Sequence, residues 1–449
     1  MNLEKIHRVY FVGIGGIGMS AIARYFCVNG KQVAGYDKVP TDITDALVEV
    51  GAEIHFEDSL DLIPEAFKEG SGTLVVYTPA VPKDHRELNF FLDADFKTLK
   101  RAQVLGEITK NTFCLGVAGT HGKTTTSSIL GHIMKATGTG ATSFLGGITE
   151  NYSSNLILGA DKVSVVEADE FDRSFLQLSP NLACVTSMDA DHLDIYGEKE
   201  ALESSFREFT QKVTDRLIVC KGLPLDGLTY AVEEEADYQI SDVKVENGAY
   251  SFTIKTPKST QENIEFALPG RHNLSNALAA VALAEQYGLP LGAIAEALKS
   301  FRGVKRRFSY KIKTNDFVLI DDYAHHPTEI DAVADAVFEM YPNKKVVGVF
   351  QPHLYSRTND FVEEFAKSLA RFDELLLLDI YPARELPMEG VTSDWLLEKI
   401  DLKQKKIVDK SKVYEELKKA NADVVVMMGA GDIGVLIEEV SEQFKLELL

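Results

Sequence analysis

The stretch from Thr112 to Ile129, TFCLGVAGTHGKTTTSSI, constrains this chain more than any other. An apolar run, Phe113 to Ala118, feeds Gly119, Thr120, His121 and Gly122, and Lys123 with three threonines opens a helix-compatible run. A strand that turns through glycines into a helix N-terminus aims several backbone N–H groups at one point. The helix dipole adds partial positive charge there, so the turn can cradle phosphate. Lys123 is expected to reach the outer phosphates, Thr124 to hold Mg²⁺ through its hydroxyl, and Thr125 to lie beside them. The general phosphate-loop pattern places a glycine five residues before Gly122, where this chain has Val117.

The rest must be arranged around that loop. At 449 residues the chain has length for roughly three domains of about 150 residues each. With 45% apolar residues, each third can bury its own core. The net charge of −21, with no long basic tract, argues against a nucleic-acid partner but not against small anionic substrates. The four cysteines, Cys27, Cys114, Cys184 and Cys220, lie singly without metal-ligand spacing, and the first three sit in apolar runs where a buried thiol is expected. A strand begins within the first ten residues, which leaves no room for a signal peptide, and no apolar run approaches a membrane span. These features suit a reducing cytoplasm.

The N-terminal segment VYFVGIGGIGMSAIARYF reads as strand, glycine turn and helix. Gly13, Gly15 and Gly18 fit G-x-G-x-x-G, with Gly16 inside the turn, and Asp37 follows about twenty residues on at the end of VAGYD. On this pattern a nicotinamide or flavin dehydrogenase is open, because any pyrophosphate ligand suits the turn. Alternating strands and helices continue to Leu105, where this Rossmann-like domain, residues 1–105, is expected to end.

The central domain, residues 106–303, carries the phosphate loop. Its strand KVSVVEADE delivers Glu167, Asp169 and Glu170, and NLACVTSMDADHLDIYG delivers Asp189, Asp191, His192 and Asp194. In a parallel sheet all carboxyl ends lie on one edge, so Lys123, Thr124, Glu167 and His192 converge if these strands are neighbours. Alternation around Asn247-Gly248 predicts a small antiparallel flap. At the head of the helix in LPGRHNLSNALAA stand His272, Asn273 and Asn276, where helix capping and adenine recognition are both open. FRGVKRRF then reads as a hinge carrying Arg302, Arg306 and Arg307. A doubly wound C-terminal domain, residues 304–449, gathers Asp321, Asp322, Tyr323, His325 and His326 at one strand end and His353, Tyr355 and Arg357 at another. No H-E-x-x-H or Cys/His cluster points to a zinc hydrolase.

Together GTHGKTTT, EADEFDRSF, DADHLDIYG, LPGRHNLSNALAA, FRGVKRRF and DDYAHHPTE resemble, in order, the motifs of the Mur ligases of peptidoglycan synthesis. The resemblance also covers GIGGIGMS near the start and MMGAGDIG near the end, and that family's loop lacks the distant glycine, as Val117 does here. It implies three domains that bind a UDP-sugar, ATP, and the amino acid, the last closing over the site. GIGGIG and Asp37 would then serve UDP, with no dinucleotide. The implied reaction activates the lactyl carboxylate of UDP-N-acetylmuramate with ATP as an acyl phosphate, which the amino group of L-alanine attacks. Addition of a murein tripeptide to the same acceptor is the alternative within the family. The implied roles are catalytic for Lys123, Glu167 and His192, with two Mg²⁺ ions near Thr124, Glu167 and His192. Asn273 and Asn276 would face adenine, and Asp322 and His326 the nucleotide ribose. His325 would contact the UDP-sugar, and Tyr323, His353 and Arg357 the amino acid. Some relatives carry a modified lysine after the DADH segment; Arg207 stands in that stretch here, so none is assigned.

Overall fold

The computed structural model describes residues 3–160, 162–189, 199–246, 249–383 and 385–448. It divides into two compact units: Met1–Val243 with Phe252–Glu265 and Ser275–Phe301, and Lys244–Ser251 with Phe266–Leu274 and Arg302–Leu449. Three sheets run through them, in the expected α/β class.

The first sheet contains β1 (Arg8–Val12), β2 (Gln32–Tyr36), β3 (Glu53–His55), β4 (Thr73–Tyr77) and β5 (Lys97–Lys100), ordered β3-β2-β1-β4-β5 and wholly parallel. Val9, Tyr10, Phe11 and Val12 are all buried, as a parallel strand covered by helices on both faces requires. Against one face of this sheet Tyr10 donates its hydroxyl to Glu87 Oε2, on the helix Arg86–Asp93, at 2.8 Å, and the Ser59 N–H donates to Glu87 Oε1 at 3.0 Å.

The second sheet contains β6 (Phe113–Ala118), β7 (Thr142–Thr149), β8 (Ser154–Ile157), β9 (Val163–Ala168), β10 (Leu182–Val185), β11 (Arg216–Cys220), β12 (Leu228–Val232), β13 (Tyr238–Glu246), β14 (Ala249–Lys255) and β15 (Thr260–Phe266). Their order is β15-β14-β13-β12-β11-β10-β6-β9-β7-β8. β6 is paired in parallel with β9 on one side and β10 on the other, so the three strands that carry the expected phosphate and metal residues are neighbours. Leu115 and Val117 of β6 are fully buried, each contributing about 1.5–3 kcal/mol of transfer free energy. The expected flap strands are hydrogen-bonded into this sheet as its outer members, and β12 and β13 pair in parallel. The turn Asn247-Gly248 lies outside the described residues.

The third sheet contains β16 (Ser309–Lys313), β17 (Val318–Asp322), β18 (Val346–Phe350), β19 (Glu374–Leu377), β20 (Lys405–Ile407) and β21 (Val424–Met428), ordered β16-β17-β21-β18-β19-β20. Only β16 of these runs antiparallel to its neighbour. Cys114 and Cys184 are buried as expected, whereas Cys27, on the helix Ile17–Val28, is only half-buried. No helix among the described residues is long and apolar enough to cross a membrane.

Candidate active site

The phosphate loop lies at the carboxyl end of β6, between the ends of β9 and β10. Gly119 has φ +139°, and a Cβ there would stand 2.0 Å from Thr186 Oγ1. Gly122, at φ +82°, begins the helix Lys123–Ala136, and a Cβ on it would stand 2.4 Å from Asn276 Oδ1. Both positions therefore need glycine for conformation and for room. Gly122, the N-cap residue, has no side chain to cap this helix, and helix-start N–H groups of this kind suit an anion.

The segment that follows β10, the strand beside β6, braces the loop. Thr186 donates its hydroxyl to Ala118 O at 3.1 Å and also to His121 O, while the His121 N–H donates to Ser187 Oγ at 2.7 Å. Thr120 and Ser187 share a hydroxyl hydrogen bond of 2.9 Å, and the Asp189 N–H donates to Thr120 Oγ1 at 3.0 Å. Thr120, Thr124 and Thr125 are buried in this cradle. Thr126 donates to Asn276 Oδ1 at 3.2 Å, which joins the helix Arg271–Tyr287 to the phosphate-loop helix.

Lys123 Nζ donates to Gly119 O at 2.6 Å, to Thr120 O at 3.2 Å and to Glu170 Oε1 at 2.9 Å, with Glu170 Oε2 also 2.8 Å away. Burial disfavours its charge, but Glu170, Asp169 and Glu167 outweigh that and hold the ammonium pKa above its ordinary value. Lys123 therefore stays a cation. Thr124 donates to Glu167 Oε1 at 3.1 Å, and the Gly146 N–H on β7 fixes Glu167 Oε2 at 2.9 Å. A hydroxyl and a carboxylate this close, at the foot of a phosphate cradle, are hard oxygen donors suited to a small divalent cation. His192 lies outside the described residues, so the expected convergence is described only for Lys123, Thr124 and Glu167.

The other glycine turn follows β1. The Gly13 and Ile14 N–H groups donate to Tyr36 O at 2.8 and 3.0 Å, and the Gly15 N–H donates to Asp37 Oδ2 at 2.6 Å. Gly16 begins the helix Ile17–Val28 without a side-chain cap. Gly13, Gly15, Gly16, Gly18 and Asp37 thus form one turn, and Asp37 holds its geometry. Arg101 lies against Gly18, where a Cβ would stand 2.6 Å from Nη1, and its Nη2 donates to Asp169 Oδ2 at 3.1 Å.

In the second unit His272 is half-buried at the start of the helix Arg271–Tyr287, and its pKa is lowered to about 4, by loss of solvent first and then by Arg307. Asn273 Nδ2 donates to Pro269 O at 2.5 Å. Asp322 takes the Phe308 N–H at 2.7 Å on Oδ2 and the Ala324 N–H at 2.8 Å on Oδ1, and burial pushes its pKa up to about 6. His326 caps the helix Pro327–Met340 by accepting the Thr328 N–H at 3.4 Å. These three side chains have evident local structural work.

Beyond β17 and β18 the expected polar residues assemble. Tyr323 and His325 rings lie 5.1 Å apart, His325 and His353 6.1 Å, and His353 and Tyr381 5.7 Å. Arg306 and Arg307 place their guanidinium carbons 5.1 and 5.2 Å from the Tyr323 ring centre. His325 Nδ1 is 2.9 Å from Tyr323 O and 3.2 Å from Glu329 Oε2. Burial lowers the His325 pKa, opposed by Glu329 and reinforced by Arg357 on the short helix Tyr355–Asp360. A neutral imidazole and several guanidinium groups in one cluster can receive a carboxylate while leaving a polar ring to orient an amine. Arg207, on the helix Lys199–Thr210, pairs with Glu203 at 3.4 Å.

Sequence reasoning did not single out Gly146, Thr186, Ser187, Arg101, Glu329 or Tyr381 as site residues, and it named Glu170 only among the acids delivered at a strand end. Glu170 had a visible signal, the second glutamate of EADE, and Thr186-Ser187 another, hydroxyls at the end of an apolar strand.

Family models match most of the chain in three pieces: Mur ligase family, catalytic domain, at residues 8–112; Mur ligase middle domain at 117–284; and Mur ligase, glutamate ligase domain, at 306–435. The UDP-N-acetylmuramate–L-alanine ligase of Flavobacterium psychrophilum is 59% identical over 99% of both chains. That of Parabacteroides distasonis is 47% identical over 98% of both. Among solved structures, the UDP-N-acetylmuramate-alanine ligase of Thermotoga maritima superposes with TM-score 0.83 at 29% identity, over 98% of this chain and 99% of that one. A murein peptide ligase from Psychrobacter arcticus shares the fold, with TM-score 0.72 at 22% identity over 97% of this chain and 98% of that one.

Proposed function

The chain belongs to the Mur ligase family, and from that premise we infer that it joins L-alanine to the lactyl carboxylate of UDP-N-acetylmuramate at the expense of ATP, in peptidoglycan precursor synthesis. The observation that carries the choice of amine is the identity of 59% with an L-alanine ligase across 99% of both chains. The site supplies matching chemistry. A lactyl carboxylate oxygen attacks the γ-phosphorus, the bond to the β-bridging oxygen breaks, and ADP leaves. The alanine amine then attacks the acyl carbon, phosphate leaves with the original carboxylate oxygen, and the amine loses a proton.

The first step brings two anions together. Lys123, kept cationic by its carboxylate neighbours, offsets that repulsion, and the loop N–H groups hold the phosphates in line. Mg²⁺ fits the Thr124–Glu167 oxygen pair and would supply further charge for the phosphoryl transfer. On the family resemblance a second Mg²⁺ is assigned to His192. We assign Gly119, Thr120, His121, Gly122, Thr125, Asn273, Asn276, Asp322 and His326 to ATP, and the turn from Gly13 to Gly18 with Asp37 and His325 to the UDP-sugar. Tyr323, His353 and Arg357 are assigned to alanine. The cytoplasm, where ATP is plentiful, is the proposed compartment.

Phosphate release with ATP and UDP-N-acetylmuramate, compared for L-alanine and a murein tripeptide, tests this reading. Faster turnover with L-alanine is expected, and faster turnover with the tripeptide would reassign the enzyme.

A further inference from the structure

Lys123 has three N–H donors, and all three have acceptors: Gly119 O, Thr120 O and the Glu170 carboxylate. To engage a phosphate the ammonium must give up at least one. The Thr120 carbonyl is the most distant at 3.2 Å and is neutral, whereas Glu170 is charged and approaches with both oxygens at 2.8–2.9 Å. Exchange of a neutral acceptor for phosphate is easier than exchange of a charge-assisted one.

Glu170 itself is not free to follow the ammonium. It is fully buried, and the segment behind it is braced on three sides. Asp169 accepts from Arg101 at 3.1 Å, Asp172 from Lys100 at 2.8 Å, and Arg173 donates to Glu208 at 2.6 Å. Asp172 and Arg173 are both left-handed, at φ +51° and +53°, a form that two successive non-glycine residues keep only where their surroundings enforce it. Two of these braces come from β5 and the helix Arg101–Thr109, outside the sheet that carries the phosphate loop.

We propose that Glu170 is a positioning residue for the ligase reaction: from a fixed strap it holds Lys123, and it keeps that hold while the lysine turns its Thr120-facing donor to the γ-phosphate. This rests on the reading of the chain as an ATP-dependent ligase.

The test uses the full chain with Glu170→Gln and, as the charge-conserving variant, Glu170→Asp. The kinetic readouts are kcat and KM for ATP from phosphate release; the chemical readout is acylation of the Lys123 amine by an amine-reactive ester at pH 8, followed by peptide mass spectrometry. In Glu170→Gln we expect kcat to fall about tenfold or more, KM for ATP to stay level or fall, and Lys123 to label faster. Glu170→Asp should recover part of both. Wild-type kcat and labelling in Glu170→Gln would overturn the proposal. So would a loss of thermal stability with kcat unchanged per folded molecule, which marks a structural role. If Glu170→Gln does not fold, faster labelling in Glu170→Asp supports the proposal and wild-type labelling overturns it. A wild-type protein without ligase turnover would refute the functional reading instead, and the labelling comparison would still decide whether Glu170 holds Lys123.

Discussion

Thr124 Oγ1 donates to Glu167 Oε1 across 3.1 Å, although 43 positions of chain separate the two residues. The contact exists because β6 and β9 are parallel neighbours with Val117 opposite Glu167, so one strand turns into the helix that carries Thr124 beside the end of the other. It marks where a hydroxyl and a carboxylate can share a cation below the phosphates.

Glu167→Gln keeps an acceptor for the Gly146 N–H but removes the charge, so the fold should survive. We expect kcat to drop by about 10²- to 10³-fold and half-maximal activity to need more Mg²⁺. Phosphate release across a Mg²⁺ titration checks this; an unchanged Mg²⁺ requirement would contradict the assignment.

Gly119 and Gly138 both have positive φ, +139° and +74°, but a Cβ at Gly119 would meet Thr186 Oγ1 at 2.0 Å whereas one at Gly138 meets nothing within 4 Å. Gly138→Ala should cost about 1–2 kcal/mol from backbone conformation alone. Gly119→Ala should cost about 3 kcal/mol or more and abolish nucleotide binding, because the brace from Thr186 must move. Thermal unfolding of the pair separates the steric effect from the conformational one.

Burial raises the Glu87 pKa from 4.5 to about 7, against the opposing hydrogen bonds from Tyr10 and Ser59. The folded protein therefore binds this proton more tightly than the unfolded chain, and the resulting stability is complete below pH 4.5 and lost as pH rises through about 7. Glu87→Gln, which cannot ionise, should lose less stability than the wild type between pH 5 and pH 8, by up to about 3 kcal/mol. Urea unfolding at the two pH values measures the difference.

Arg357→Lys retains the charge but not the planar fork that pairs with a carboxylate. KM for L-alanine should rise about tenfold or more while KM for ATP changes little. A shift in KM for ATP alone would move Arg357 out of the amino-acid site.

The legible part of this site was local in the chain. Gly119 to Thr125 sit within one strand–turn–helix, and Gly13 to Gly18 within another, so pattern alone located both turns and the strand-end position of Glu167. The Tyr323, His325 and His353 grouping followed from the ends of two strands, β17 and β18, that run the same way in one sheet. What escaped notice depended on pairings between distant segments. Gly146 matters because β7 lies beside β9, and Thr186 because β10 lies beside β6. Glu170 stood in plain view, but its lysine partner is 47 positions away and the segment behind it is braced from β5 and the helix Arg101–Thr109. Side-chain work for Asp322 was hidden too, since it takes the Phe308 N–H, whereas Asn273 bonds Pro269 O within its own helix start, a local role that the capping alternative had left open.

The most direct test follows the oxygen atoms. UDP-N-acetylmuramate carrying ¹⁸O in both lactyl carboxylate positions would be turned over with ATP and L-alanine, and the released phosphate analysed by mass spectrometry. Activation of that carboxylate by the γ-phosphate predicts one ¹⁸O in each phosphate and one retained in the amide product. Phosphate without ¹⁸O would contradict it.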